Sequence, residues 1–238
     1  MQSNEPKIAV TFALPTESSE FLSQLRNESR VDRNGIRVIR GEINCRSVEV
    51  LHTGVGEKIC RQRLGKFLED QQFDLLISGG FAGALSDELQ VGDLLLARNF
   101  STIEVDTKQS SLSNLPVRVA DLLTVARLID SSDERNKIAR TTGAAAVDME
   151  TEFIARVCAA QGVPLLSLRV ITDTTSESFP APTKALFDIE QQRTHVSALA
   201  RFFLSHPNRI PRLVQFARRI SRARKTLGAA LVEIVREL

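Results

Sequence analysis

AAAVDMETEFIARVCAAQGVPLLSLRVITD, residues 144–173, is the stretch that decides the fold. A short apolar run ends in three functional side chains, Asp148, Met149 and Glu150. From about residue 151 to 161 the apolar Phe153, Ile154, Val157 and Cys158 recur at helical spacing, and Gly162 and Pro164 close that helix. A β-rich run over residues 165–172 follows and ends on Asp173. The stretch predicts strand, helix, strand, with an acid at the end of each strand. Open α/β sheets bind ligands in the crevice at the carboxyl ends of their strands. Glu150 and Asp173 therefore mark a candidate site with a recognition carboxylate and an acid catalyst.

The rest of the chain extends this pattern. Residues 7–13 read as a buried first strand, which Leu14-Pro15-Thr16-Glu17 turns into a helix through Leu25. Glu17 either complements that helix's N-terminal dipole or has a functional role. Residues 35–40 and 46–52 form a hairpin pair, and Thr53-Gly54-Val55-Gly56 leads into a helix over about 57–71. Residues 73–78 are a strand running into Gly79-Gly80-Phe81-Ala82-Gly83-Ala84, where small residues permit close approach by backbone or ligand. A strand follows at 94–98, a polar loop at 101–114 and a β-like segment at 122–128. Ser131 to Glu134 is a capping box for a helix to Arg140. A polar, turn-rich loop to Pro182 and two helices, 183–204 and 210–238, complete the chain. Alternating strands and helices predict an α/β fold in three layers: a mixed central sheet flanked by helices.

Composition narrows the function. The 238 residues suit a single domain over 1–238, with a basic helical C-terminal extension at about 205–238, and from Arg201 onward nine Lys/Arg face two Glu. A net charge of +2 makes no case for nucleic acid. Three cysteines, Cys45, Cys60 and Cys158, show no metal spacing and read as reduced thiols buried as small apolar residues. The opening residues carry no signal-peptide pattern, and no apolar run reaches the ~18 residues a bilayer span needs. The expected location is cytoplasmic. Residues 210–224 make a basic amphipathic helix, for which packing by the apolar face is preferred to peripheral membrane contact.

KIAVTFALPTE, TGVGEKICRQRL, FDLLISGGFAGAL, VGDLLLARNF, AVDMETEFIARVC and PLLSLRVITD occur in that order. Together they resemble the nucleoside phosphorylase and nucleosidase family, which includes purine nucleoside phosphorylases and methylthioadenosine/S-adenosylhomocysteine nucleosidases. FPAPTKALFD and FFLSHPNRIPRLVQFARR resemble the hopanoid-associated phosphorylase branch, whose substrate is adenosylhopane. The resemblance implies cleavage of the N-glycosidic bond of a purine nucleoside, with adenine the expected base and a substituent at the 5′ position.

By that resemblance Asp173 is the acid that protonates N7 of the base, a role that calls for a raised pKa. Glu150 accepts the ribose 2′- and 3′-hydroxyls, Met149 lies against the sugar, and Gly80, Phe81 and Val147 complete the substrate-binding set. Glu17 matches the general base for the attacking water, and Arg169 the arginine that helps hold that water and the glutamate. Phosphorylases commonly bind phosphate through an arginine in the first loop, but FALPTESSEF has no cation, so water is favoured over phosphate. Phe81 stands where nucleosidases carry a serine, and TVARLI lacks their base-stacking aromatic. The shorter segment 101–140 implies a more open 5′ side. No metal or organic cofactor is implied, and a homo-oligomer, dimer or larger, is expected. The rival readings are a phosphate-dependent phosphorylase, with adenosylhopane among its candidate substrates, and a non-catalytic nucleoside-binding or storage relative.

Overall fold

The computed structural model describes residues 6–102, 115–129, 131–175, 205–206 and 210–238. Its elements begin with β1 (Ile8–Phe12), α1 (Pro15–Leu22), β2 (Arg26–Arg33), β3 (Ile36–Ile43), β4 (Arg46–His52), α2 (Glu57–Leu68) and β5 (Leu75–Ala84). They continue with β6 (Leu94–Ala97), β7 (Val117–Ala120), β8 (Leu122–Thr124), α3 (Ser132–Thr142), β9 (Ala146–Asp148), α4 (Thr151–Gln161), β10 (Leu165–Asp173) and α5 (Ile210–Glu237).

β1 and β10 are buried at every position, which requires cover on both faces and places them inside the sheet. The strand order is β2-β3-β4-β1-β5-β10-β6-β7, with β9 joined to β5 and β8 to β9. β4, β1, β5 and β10 run parallel, so their carboxyl ends share one edge. The β2–β3, β3–β4, β10–β6 and β5–β9 pairs are antiparallel, which makes the sheet mixed.

Alternation along the strands assigns the two faces. Ile8, Val10, Ile77, Leu166, Leu168 and Val170 pack with Phe21 of α1 and with Leu227, Leu231 and Val235 of α5. Ala9, Leu51, Leu76 and Leu165 pack instead with Leu64 and Phe67 of α2 and Ile154 and Cys158 of α4. Helices on both faces of one sheet give the expected three layers.

Several boundaries differ from expectation. β2 was not anticipated: RNESRVDR is almost wholly exposed, so no apolar alternation marks it, and only its pairing with β3 makes it a strand. β5 continues through the glycine run instead of ending before it, because β10 supplies a partner from Leu76 to Gly83. The segment 122–128 is a strand only to Thr124, and VRVA before it is a separate strand against β6. α1 stops at Leu22 and α2 at Leu68, each three residues early.

The C-terminal helix is only partly an extension. Ala223, Leu227, Ala230, Leu231 and Val235 are core residues, whereas the helix's first half carries exposed Val214 and several arginines. Cys60 and Cys158 are buried as expected, but Cys45 is exposed, since it sits in the β3–β4 turn with φ of 68°. Most of the 101–114 loop and the whole 183–204 helix lie outside the described residues. Among the described residues no helix is long and apolar enough to cross a membrane.

Candidate active site

The shared carboxyl edge of β4, β1, β5 and β10 is where the expected site residues gather. β1 leads through Ala13 and Leu14 into α1, whose first turn holds Glu17 buried against β5. The Leu14 N–H donates to Glu17 Oε2 at 3.0 Å and the Phe81 N–H to Oε1 at 3.3 Å. Burial pushes the Glu17 carboxyl above its ordinary value, while these N–H groups and the charge of Arg169 pull the other way.

β9 runs antiparallel to β5 with Val147 opposite Gly83, so the chain after Val147 travels back along β5. That reversal brings Glu150 beside Gly80 and Phe81, and one small cleft is lined by Glu17, Gly80, Phe81, Glu150 and Arg169. The Gly56 N–H, at the glycine turn after β4, donates to Glu150 Oε1 at 3.0 Å. Burial first, and the neighbouring Asp148 charge second, push Glu150 up to about 8. The Glu150 carboxyl therefore keeps its proton to higher pH than a free carboxyl, and in its neutral form it is both a donor and an acceptor. Glu17 contributes to that shift, so the two carboxyls titrate as a pair.

Asp173 lies at the end of β10, beyond an irregularity that pairs Ile171 with Ala82 and Asp173 with Gly83. A bulge of this kind re-aims the side chain that follows it. The Asp173 carboxylate enters a second cleft with Val147, Met149 and Gly83. Thr172 Oγ1 donates to its Oδ1 at 3.0 Å, and the Arg135 guanidinium pairs with its Oδ2.

Arg169 is placed differently from its expected role. Its Nε donates to Asp148 Oδ2 at 3.0 Å, and its Nη1 to the Ser78 and Leu168 carbonyls at 2.7 and 2.8 Å. Its Nη2 donates to Ser78 Oγ at 3.0 Å and Thr151 Oγ1 at 2.5 Å. A guanidinium has five N–H groups, and all are committed to protein oxygens. Arg169 thus acts on Glu17 by charge, with no hydrogen bond left for a water or an anion.

All eight expected residues lie in these two adjoining clefts, Asp173, Met149 and Val147 in one and the other five in its neighbour. Three further residues were not anticipated as site residues. Arg135 lies on α3, where its spacing to the half-buried Ile138 and Ala139 puts it on the inward face. His52 Nε2 lies 2.8 Å from Ser18 Oγ and so fixes the first turn of α1 beside Glu17. The third, Gly56, offers its N–H to Glu150, which only the fold reveals. Asp148 braces the turn, accepting from Thr124 Oγ1 and the Thr151 N–H. Among the described residues no group of three or more His, Cys, Asp or Glu is placed to hold a metal.

The sequence model of the Phosphorylase superfamily matches residues 7–116 and 108–205. The chain belongs to that superfamily. The 5′-methylthioadenosine/S-adenosylhomocysteine nucleosidase of Haemophilus ducreyi is 24% identical over 196 residues, covering 70% of this chain and 84% of the relative. Among solved structures, the same-named nucleosidase of Campylobacter jejuni superposes with a TM-score of 0.73 at 19% identity, over 98% of this chain and 100% of the other. Futalosine hydrolase of Helicobacter pylori gives 0.72 at 16% identity, over 98% and 100%. At such identities these superpositions show a shared fold.

Proposed function

We propose that this member of the superfamily cleaves the N-glycosidic bond of a purine nucleoside bearing a 5′ substituent, with adenine as base and water as nucleophile. The observation that carries the reading is the collection of three buried carboxyl groups, Glu17, Glu150 and Asp173, along one sheet edge at Gly80–Gly83. Asp173 gives a proton to N7 of the base, and the C1′–N9 bond breaks with its electron pair leaving on the base. The water oxygen bonds to C1′ and its proton passes to Glu17. Glu150 and Met149 hold the ribose between the two.

One feature favours water over phosphate. Arg169, the cation lining the cleft beside Glu17, has every N–H engaged. The named nucleosidases among the relatives add to the hydrolytic reading. A cytoplasmic location, a homo-oligomer and the identity of the 5′ group, the hopane lipid included, rest on composition and resemblance.

The test is chromatographic detection of free base from a panel of 5′-substituted adenosines, with wild type and Asp173→Asn. The reading expects adenine release, reduced about 10²–10⁴-fold in the variant, the usual contribution of a general acid. Undiminished release by Asp173→Asn would remove the acid from the account. Binding of these nucleosides without release would support a storage or binding role instead.

A further inference from the structure

Arg135 and Asp173 form an ion pair whose residues are each only 3% exposed. A buried pair is costly to desolvate and is tolerated when its remaining donors are satisfied. Arg135 meets that condition: its Nε donates to the Ile129 carbonyl at 3.0 Å and its Nη1 to the Ala84 carbonyl at 3.2 Å. These two carbonyls anchor the guanidinium on the segment before α3 and on the end of β5. The contact needs Gly83, because a Cβ there would stand 2.9 Å from Asp173 Oδ2 and 3.2 Å from Arg135 Nη1.

The pair lines the cleft that Asp173 enters, and its charge runs against the simplest requirement for an acid catalyst. A guanidinium beside a carboxyl group favours the ionised form, whereas a proton donor must begin neutral. We propose that Arg135 is a positioning residue for Asp173, holding the carboxylate left once the acid has given its proton to the base. The proposal rests on the reading of Asp173 as the acid. In the balanced step the Asp173 proton moves to N7 as the C1′–N9 bond breaks, and the new carboxylate charge forms against Arg135. Arg135 thereby makes Asp173 a stronger acid and narrows the pH range over which it holds a proton.

Other charges face the same cleft. Arg127 comes from the segment before α3 and is paired with Glu134 at 2.5 Å, while Asp148 of β9 is paired with Arg169. β5 presents only Gly83 there.

The experiment is the pH dependence of kcat for base release by wild type, Arg135→Gln and Arg135→Lys, with folding checked by thermal unfolding. Arg135→Gln is expected to lower the acid-side plateau tenfold or more, about the scale of a lost acid-catalytic contribution. It is also expected to displace the alkaline fall in rate upward by about 1–3 pH units, the shift a close opposite charge produces. Arg135→Lys should restore most of the wild-type profile. A purely structural role would lower the plateau without moving the profile, and that result overturns the proposal. If Arg135→Gln does not fold, Gly83→Ala, which presses directly on the pair, must show the same upward displacement; an unmoved profile there also overturns it. Absence of base release by wild type would instead defeat the reading of the site, so the two failures are distinguishable.

Discussion

Glu150 carries a pH signature set by its burial. Its folded value near 8 lies above the reference 4.5, chiefly through burial and then through Asp148. Between those values the folded protein binds the proton more tightly than the unfolded chain does. The associated stability is fully present below about pH 4.5 and is lost as pH rises through about 8. Glu150→Gln removes the titration, so wild type should lose roughly 1–3 kcal/mol relative to the variant between acid and mildly alkaline pH. Urea unfolding at pH 5 and pH 8.5 measures the difference; parallel losses in the two proteins would show that Glu150 is not raised. At this scale the carboxyl groups were legible because each lies at a strand end or first helical turn within a recognisable motif. Arg135 was not legible, because an arginine in DERNKIAR looks like any solvated helix charge until β10 is folded against it.

α1 and α5 show how an element far along the chain supports the site. Gly228 of α5 faces α1 so closely that a Cβ there would lie 2.8 Å from Glu20 Cβ and 3.1 Å from the Phe21 backbone nitrogen. Backbone cannot yield as a side-chain tip does, so α1 would have to move, and α1 carries Glu17. Gly228→Ala is therefore expected to cost about 1–3 kcal/mol of stability, as overpacking does, and to lower kcat at a temperature where the variant is still folded. Thermal unfolding and rate measurements on the same sample test this. A stability loss with unchanged kcat would mean that α1 holds Glu17 independently of α5. The central strands were legible from their unbroken apolar runs. β2 was not, since its polar residues gain strand geometry only from β3, and the end of β5 was hidden because its glycines read as a loop.

Across the whole molecule, the C-terminal helix ties the basic end of the chain to the core that positions the site. Its second half packs against β1, β5 and β10, the strands whose carboxyl ends bear the candidate site. A chain truncated before residue 210 should therefore lose cooperative unfolding and bind hydrophobic dye; a sharp thermal transition in the truncated chain would contradict that placement. The layered α/β class was readable from alternating strands and helices. The helix's integration was obscured because the arginines of its first half dominate the composition of the tail.

The central claim is that water deprotonated by Glu17, and not phosphate, attacks C1′. Its most direct test is the initial rate of adenine release from one 5′-substituted adenosine, without phosphate and then with saturating phosphate, for wild type and Glu17→Gln. The account predicts a rate independent of phosphate that falls by about 10²–10⁴-fold in the variant. Release only when phosphate is present would contradict it and make the protein a phosphorylase.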